Sequence, residues 1–183
     1  DNKVRKTHEF IGHYYKKENS KFRNILEIYE NGTDSKYSFE SLVVMLNPGG
    51  SRPKSNAESN WGSFPSIYHG VECHPDQTQS QIVRLMELQN WKKCMVLNLF
   101  DMCNVKSEEI VERYTVSDEK DKYIKESIFS EDRKSELKSL FLKLDEKAPI
   151  IIAWGVNEDL VSIKSNFYTE ILKPTNRRIV GWK

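Results

Sequence analysis

Two asparagines, each placed at the end of an apolar run, are the residues of this chain best placed for chemistry. Asn47 follows Leu42-Val43-Val44-Met45-Leu46 and opens the step Asn47-Pro48-Gly49-Gly50. Asn98 follows Cys94-Met95-Val96-Leu97 in the same way. A third run, Ile150-Ile151-Ile152-Ala153, leads into Trp154-Gly155. A side-chain amide both donates and accepts hydrogen bonds. Continuous apolar runs of this length fit strands buried on both faces. Proline then removes a backbone donor, and glycines allow conformations that other residues resist, so the first strand must stop at Leu46 and turn sharply. Ligands of open α/β sheets bind outside the carboxyl ends of the strands. The spacing therefore predicts that Asn47, Asn98 and Trp154-Gly155 lie along one edge of one crevice.

The same residues admit plainer roles. Asn-Pro-Gly-Gly after a strand is also an ordinary turn. Asn98 equally suits tying down a loop through side-chain-to-backbone bonds. Trp154 suits a core better than a stacking platform, Phe100 and Met102 suit the core, and His74 suits capping a turn. Gly49-Gly50-Ser51 with Lys54 is not a P-loop, because Gly-Lys-Ser/Thr is absent, and no Gly-x-Ser-x-Gly elbow points to a hydrolase. Cys73, His74, Cys94 and Cys103 contain no Cys-x-x-Cys pair, so no metal and no other cofactor is expected.

The elements that must hold these residues follow from the rest of the chain. At 183 residues, 38% hydrophobic and 30% charged, it reads as one globular α/β domain over 1–183, with 1–21 as a short helix or irregular N-terminal arm. Phe22 to Tyr29 alternates as a strand near a sheet edge, with Phe22, Asn24, Leu26 and Ile28 opposite Arg23, Ile25, Glu27 and Tyr29. Asn31-Gly32 is a turn signal. Residues 49–77 form a long polar connection carrying Trp61, Phe64 and Tyr68, aromatics that a disordered linker tends to lack. Asp76 or Thr78 caps a helix from about Gln79 to Gln89 with Ile82, Leu85, Met86 and Leu88 as its apolar face. Helices are also expected after Ser107, over Ser130–Lys147 and over 157–165, with a last short strand near Ile179-Val180-Gly181-Trp182.

Composition narrows the partners. The net charge of +1 gives no global pull towards nucleic acid. Residues 1–23 nevertheless hold seven basic and three acidic side chains, and 171–183 hold four basic and none acidic. If those ends met, they would form a basic patch able to contact phosphates. No apolar run approaches the roughly 20 residues needed to cross a bilayer, and no signal peptide is visible, so no membrane partner is expected. Three cysteines, an odd count, suggest a reducing and hence cytoplasmic setting.

Leu46-Asn47-Pro48, Asp76-Gln77-Thr78, Asn98-Leu99-Phe100 and Ala153-Trp154-Gly155 together resemble an uncharacterised bacterial and phage domain family. That family is marked by Leu-Asn-Pro-Ser, Asp-Pro-Thr, Asn-Leu-Phe and Ala-Trp-Gly steps in this order. The resemblance spans roughly residues 23–156, with Gly49 where serine is usual and Gln77 where proline is usual. More remotely the layout is similar to the uracil-DNA glycosylase superfamily. There Asn47-Pro48-Gly49 is similar to the first motif of the mismatch-specific branch, and His74-Pro75 to a later His-Pro step. Asn98 is similar to a base-reading asparagine, and the run into Trp154-Gly155 to the strand before the final motif. That final motif usually brings a histidine, and none occurs here after His74.

The resemblance implies a three-layer α/β fold with a mostly parallel central sheet. It implies recognition of a nucleobase or nucleotide, with hydrolysis of an N-glycosidic bond in nucleic acid as the enzymatic form. A non-catalytic binding module on the same fold is the alternative. Asn98 would read the base edge, and Phe64, then Trp61 or Tyr68, would stack on the base. Asn47 would hold a water without deprotonating it, leaving that step to a group such as Asp101. Pro48, Gly49, Gly50, His74 and Trp154 would line the pocket. Backbone N–H groups at Gly49-Gly50, with Arg52 and Lys54, would hold a phosphate.

Overall fold

Strands buried on both faces make up the centre of the molecule, and amphipathic helices cover them. The computed structural model describes residues 4–17, 19–54, 62–63, 70–103, 106–116 and 125–182. In chain order the elements are α1 (Val4–Thr7), β1 (His8–Lys17), β2 (Ser20–Glu30), β3 (Ser41–Met45), β4 (Arg52–Pro53), β5 (Gly62–Ser63) and β6 (Gly70–His74). There follow α2 (Gln77–Gln89), β7 (Lys93–Asn98), α3 (Ser107–Val116), α4 (Lys134–Phe141), β8 (Ile150–Ala153), α5 (Val161–Phe167) and β9 (Ile179–Gly181). The strands pair in the order β4-β6-β1-β2-β7-β3-β8-β9, with β5 alongside β1.

The three apolar runs become adjacent parallel strands. β3 lies between β7 and β8, with Met45 opposite Asn98 on one side and Ala153 on the other. β9 extends this parallel half by pairing with β8. The chain leaves β3 towards β7 and then crosses to β8 on the other side, which makes the carboxyl ends of β3 and β8 a topological switch point.

The sheet is mixed rather than mostly parallel. Residues 8–17 are not an arm but a ten-residue strand that forms an antiparallel hairpin with β2. Phe10, Gly12 and Tyr14 alternate with the less buried Ile11 and His13, so the strand period was present beneath the mixed charges. β2 in turn pairs antiparallel with β7, which places it inside the sheet rather than near its edge. Among the described residues the two basic ends do not meet. β1 and β9 are separated by β2, β7, β3 and β8, five ladder steps or about 24 Å.

Side-chain alternation divides the interior into two clusters. Leu42, Val44, Met95, Leu97 and Ile150 face α3, α4 and α5 in the first. Val43, Val96, Cys94 and Ile151 face α2 in the second, with Phe10, Tyr14 and Leu26 from the hairpin. Helices therefore lie on both faces. α2 starts at a capping box: the Gln79 N–H donates to Asp76 Oδ1 at 3.0 Å, and Gln79 Oε1 accepts from the Asp76 N–H at 3.4 Å. Ile82, Val83 and Met86 form its buried stripe, while Leu88 lies 200° beyond Met86 and is 81% exposed. Ser130–Lys147 is not one helix: Glu131–Arg133 is a 3-10 turn, α4 ends at Phe141, and Leu144 bridges to Phe39. Among the described residues no helix is long and apolar enough to cross a membrane.

Candidate functional site

The candidate site is a wedge between β2 and β7 at the carboxyl edge of the parallel strands. The β2–β7 ladder runs as far as Ile25 opposite Leu97. Beyond it, β7's continuation follows β3, with the Leu99 and Phe100 N–H groups donating to the Met45 and Leu46 carbonyls at 2.9 and 3.0 Å. β2 rejoins only where the Arg23 N–H donates to the Asp101 carbonyl at 2.8 Å and Phe22 bridges to Met102. Residues 98–101 on one side thus face only 23–24 on the other.

Asn98, the last residue of β7, stands in that opening. It is fully buried, and neither Oδ1 nor Nδ2 has a hydrogen-bond partner. Alternation with Cys94 and Val96 turns it to the α2 face. Buried polar groups are nearly always bonded, so an orphaned amide at a strand end marks a place where water or a ligand belongs. Arg23 and Asn24, across the opening on β2, carry four of the other orphans. Eight of the ten unpartnered buried side-chain N and O atoms among the described residues belong to Arg23, Asn24, Ser51, Asn98 and Asp101.

The turn after β3 closes over the same face. Asn47 and Pro48 are buried, and Gly49 adopts a φ of +64°, a value that suits glycine. A Cβ on Gly49 would stand 2.9 Å from Asp76 Oδ2, so the turn rests on the cap of α2. Gly50 is exposed. Ser51 is buried, and its carbonyl faces the Tyr14 hydroxyl at 3.5 Å.

Asp101 belongs to a buried ion network. Its Oδ2 accepts from Arg133 Nη1 at 2.6 Å and from the Tyr15 hydroxyl at 3.3 Å, while Oδ1 is unpartnered. Complete burial pushes the carboxyl up to about 7, and the Arg133 guanidinium pulls against that. Arg133 also holds both carboxylate oxygens of Glu136, through Nε at 2.8 Å and Nη2 at 2.9 Å. The carboxyl best placed by sequence to activate a water is thus shared with structural partners.

The remaining predicted residues divide. Asn47, Pro48, Gly49 and Asn98 come together at the strand ends. Trp154 reaches the same edge but packs with Leu46 against the first cluster, because the alternation that turns Ile151 to one face turns Ile152 and Trp154 to the other. Phe100 is buried in that cluster as a core residue. Arg52 pairs with His74 on the outer β4–β6 ladder, separated from β7 by β1 and β2. Lys54 is ion-paired with Glu72 at the surface. Trp61, Phe64 and Tyr68 lie outside the described residues. No group of three or more His, Cys, Asp or Glu able to hold a metal ion occurs among the described residues.

Arg23, Asn24, Ser51 and Arg133 were absent from the residues singled out by sequence. Strict alternation would place Arg23 beside Ile25. Instead Tyr14 pairs with Arg23 and His13 with Ile25, so Asn24 is the extra residue of a β-bulge. Nothing in the local sequence marks that bulge.

Two cavities among the described residues lie elsewhere. One of about 300 Å³ is lined by Leu85, Gln89, Trp91, Ile151, Val180 and Trp182. One of about 470 Å³ lies between residues 36–40 and 145–149, by Trp91. Comparison of the chain with protein-family models, with curated proteins and with solved structures finds no match.

Proposed function

We propose that the wedge between β2 and the carboxyl end of β7 recognises a nucleobase, free or within a nucleotide or nucleic acid. The reading rests on Asn98, a buried amide with both its donor and its acceptor unspent. An amide in that state pairs bidentately with a planar ring edge that presents an adjacent acceptor and donor, as base edges do. The place of Asn98 at the carboxyl end of β7 supports it, since ligands of open α/β sheets bind outside the carboxyl ends of the parallel strands. The uracil-DNA-glycosylase-like type is proposed on the same ground. Three of the four stretches that carry that resemblance end β3, β7 and β8, which are neighbours in the sheet, while His74-Pro75 ends β6 in its outer antiparallel part.

The enzymatic form of this proposal is hydrolysis of an N-glycosidic bond, with Asn47 positioning the water. A second reading is a binding module without catalysis. It is favoured by Asp101, whose Oδ2 is taken by Arg133 and Tyr15 and therefore is poorly placed to serve as a base. Release of free base from single- and double-stranded oligonucleotides carrying uracil, mismatched and modified bases separates the two. Release abolished by Asn47→Ala and by Asn98→Ala supports the glycosylase. Binding without release, weakened by Asn98→Ala, supports the module. Neither release nor binding removes the base-recognition reading.

A further inference from the structure

We infer that Arg23 is the charge-bearing member of this site, a buried guanidinium that receives an oxyanion of the ligand. The inference deepens the base-recognition reading and rests on it for the kind of ligand. Arg23 has no solvent exposure, and Nε, Nη1 and Nη2 all lack a hydrogen-bond partner. An isolated buried cation is among the costliest groups a fold can keep, and such charges are normally paired. Asp101 accepts the Arg23 backbone N–H, but its Oδ2 goes to Arg133 and Tyr15.

The bulge at Asn24 explains how the side chain comes to this face. Bulges re-aim side chains, and this one turns Arg23 away from the first cluster. Its guanidinium lies close enough to Tyr14, Cys73 and Cys103 to act on their ionisation, and these three belong to or pack against the second cluster. Asn98 faces the same side. Arg23 and Asn98 flank the opening between β2 and β7, and Ser51 approaches from the turn after β3 through its contact with Tyr14. The guanidinium fork and the Nδ2 of Asn98 are unspent donors. A fork of N–H groups matches the paired oxygens of an oxyanion. Two sources share this chemistry: a nucleotide phosphate, and the ionised ring oxygen of a base.

The test uses the full chain with inorganic phosphate, with neutral uracil, and with barbiturate, an anion of the same ring frame at neutral pH. Binding is read by calorimetry and by thermal unfolding, for the wild type, Arg23→Met and Arg23→Lys. The expected result is saturable binding of phosphate or barbiturate that Arg23→Met weakens at least about tenfold, with Arg23→Lys intermediate because charge remains without the fork. Ligand-free Arg23→Met melts above the wild type, since an uncompensated charge has been removed. Response to phosphate alone assigns the phosphate source, and preference for barbiturate over uracil assigns the ionised base. Absence of any anion effect on the wild type overturns the inference. So does a ligand-free Arg23→Met that melts lower or fails to fold, which would mean that the protein itself holds the charge. Uracil binding lost in Asn98→Ala, with phosphate and barbiturate binding both kept in Arg23→Met, overturns this inference alone. Anion binding that needs Arg23, without any base binding, overturns the base reading alone.

Discussion

Arg133 Nη1 and Asp101 Oδ2 stand 2.6 Å apart with side chains 4% and 0% exposed, joining the loop after β7 to the start of α4. Glu136 shares the same guanidinium. Removing one partner of a buried ion pair typically costs about 3–5 kcal/mol, because the other is left uncompensated. Arg133→Met should therefore destabilise the protein by about that amount at pH 8, where Asp101 is ionised. Asp101→Asn should cost less, since an amide oxygen still accepts from Arg133 and Tyr15. Urea unfolding with an unchanged slope gives both values, and a smaller loss for Arg133→Met than for Asp101→Asn would sink this account.

The same carboxyl makes stability depend on pH. Burial raises Asp101 from 3.8 to about 7, so the folded state holds a proton that the unfolded state has released. The contribution is fully present below the unfolded value and is lost as pH rises through about 7. Between these limits the wild type should lose stability with rising pH relative to Asp101→Asn, which has no such proton. Unfolding curves for the two proteins at pH 5, 6, 7 and 8 test this by their difference. Parallel curves would place the Asp101 value near that of an ordinary carboxyl.

The parallel strands were legible in the sequence because their information is local. Ile150–Ala153 is an unbroken apolar run, and the strand occupies those same residues. Asp76 caps α2 as its position before the helix predicts, because a cap needs only neighbours in sequence. Of the antiparallel half only β2 was legible, through the alternation of Phe22 to Tyr29. His8–Lys17 mixes charges and aromatics, and its strand identity comes from pairing with β2 and β6. The site was half legible for the same reason. Asn47 and Asn98 announce themselves at strand ends, but Arg23 reaches its place through a bulge defined by register between two strands. Arg133 reaches Asp101 only because α4's start packs beneath the sheet.

The turn that carries Asn47 depends on one glycine and not on its neighbour. Gly49 combines a φ of +64° with a Cβ position 2.9 Å from Asp76 Oδ2. Gly50 has no atom within 4 Å of its Cβ position. Gly49→Ala should lose about 1–2 kcal/mol through left-handed strain and displacement of the α2 cap. Gly50→Ala should change stability little. Thermal melts of the two variants check the contrast, and equal losses would show that the turn does not rest on Asp76.

Two buried asparagines on neighbouring strands differ in what their amides hold. Asn24 Nδ2 donates to Glu136 Oε1 at 2.9 Å, whereas both polar atoms of Asn98 are unspent. Leucine keeps the branched outline of asparagine without its polar atoms. Asn24→Leu removes a bond to a carboxylate that also serves Arg133, so it should destabilise by about 1.5–3 kcal/mol. Asn98→Leu removes no bond and relieves buried unsatisfied groups, which cost about 1–3 kcal/mol. The ligand-free Asn98→Leu protein should therefore be as stable as the wild type or more so, while base binding is lost. Denaturant midpoints of both variants, measured without ligand, decide the matter. If Asn98→Leu falls as far as Asn24→Leu, then Asn98 ties down the loop after β7, and the wedge has no amide left to read a base.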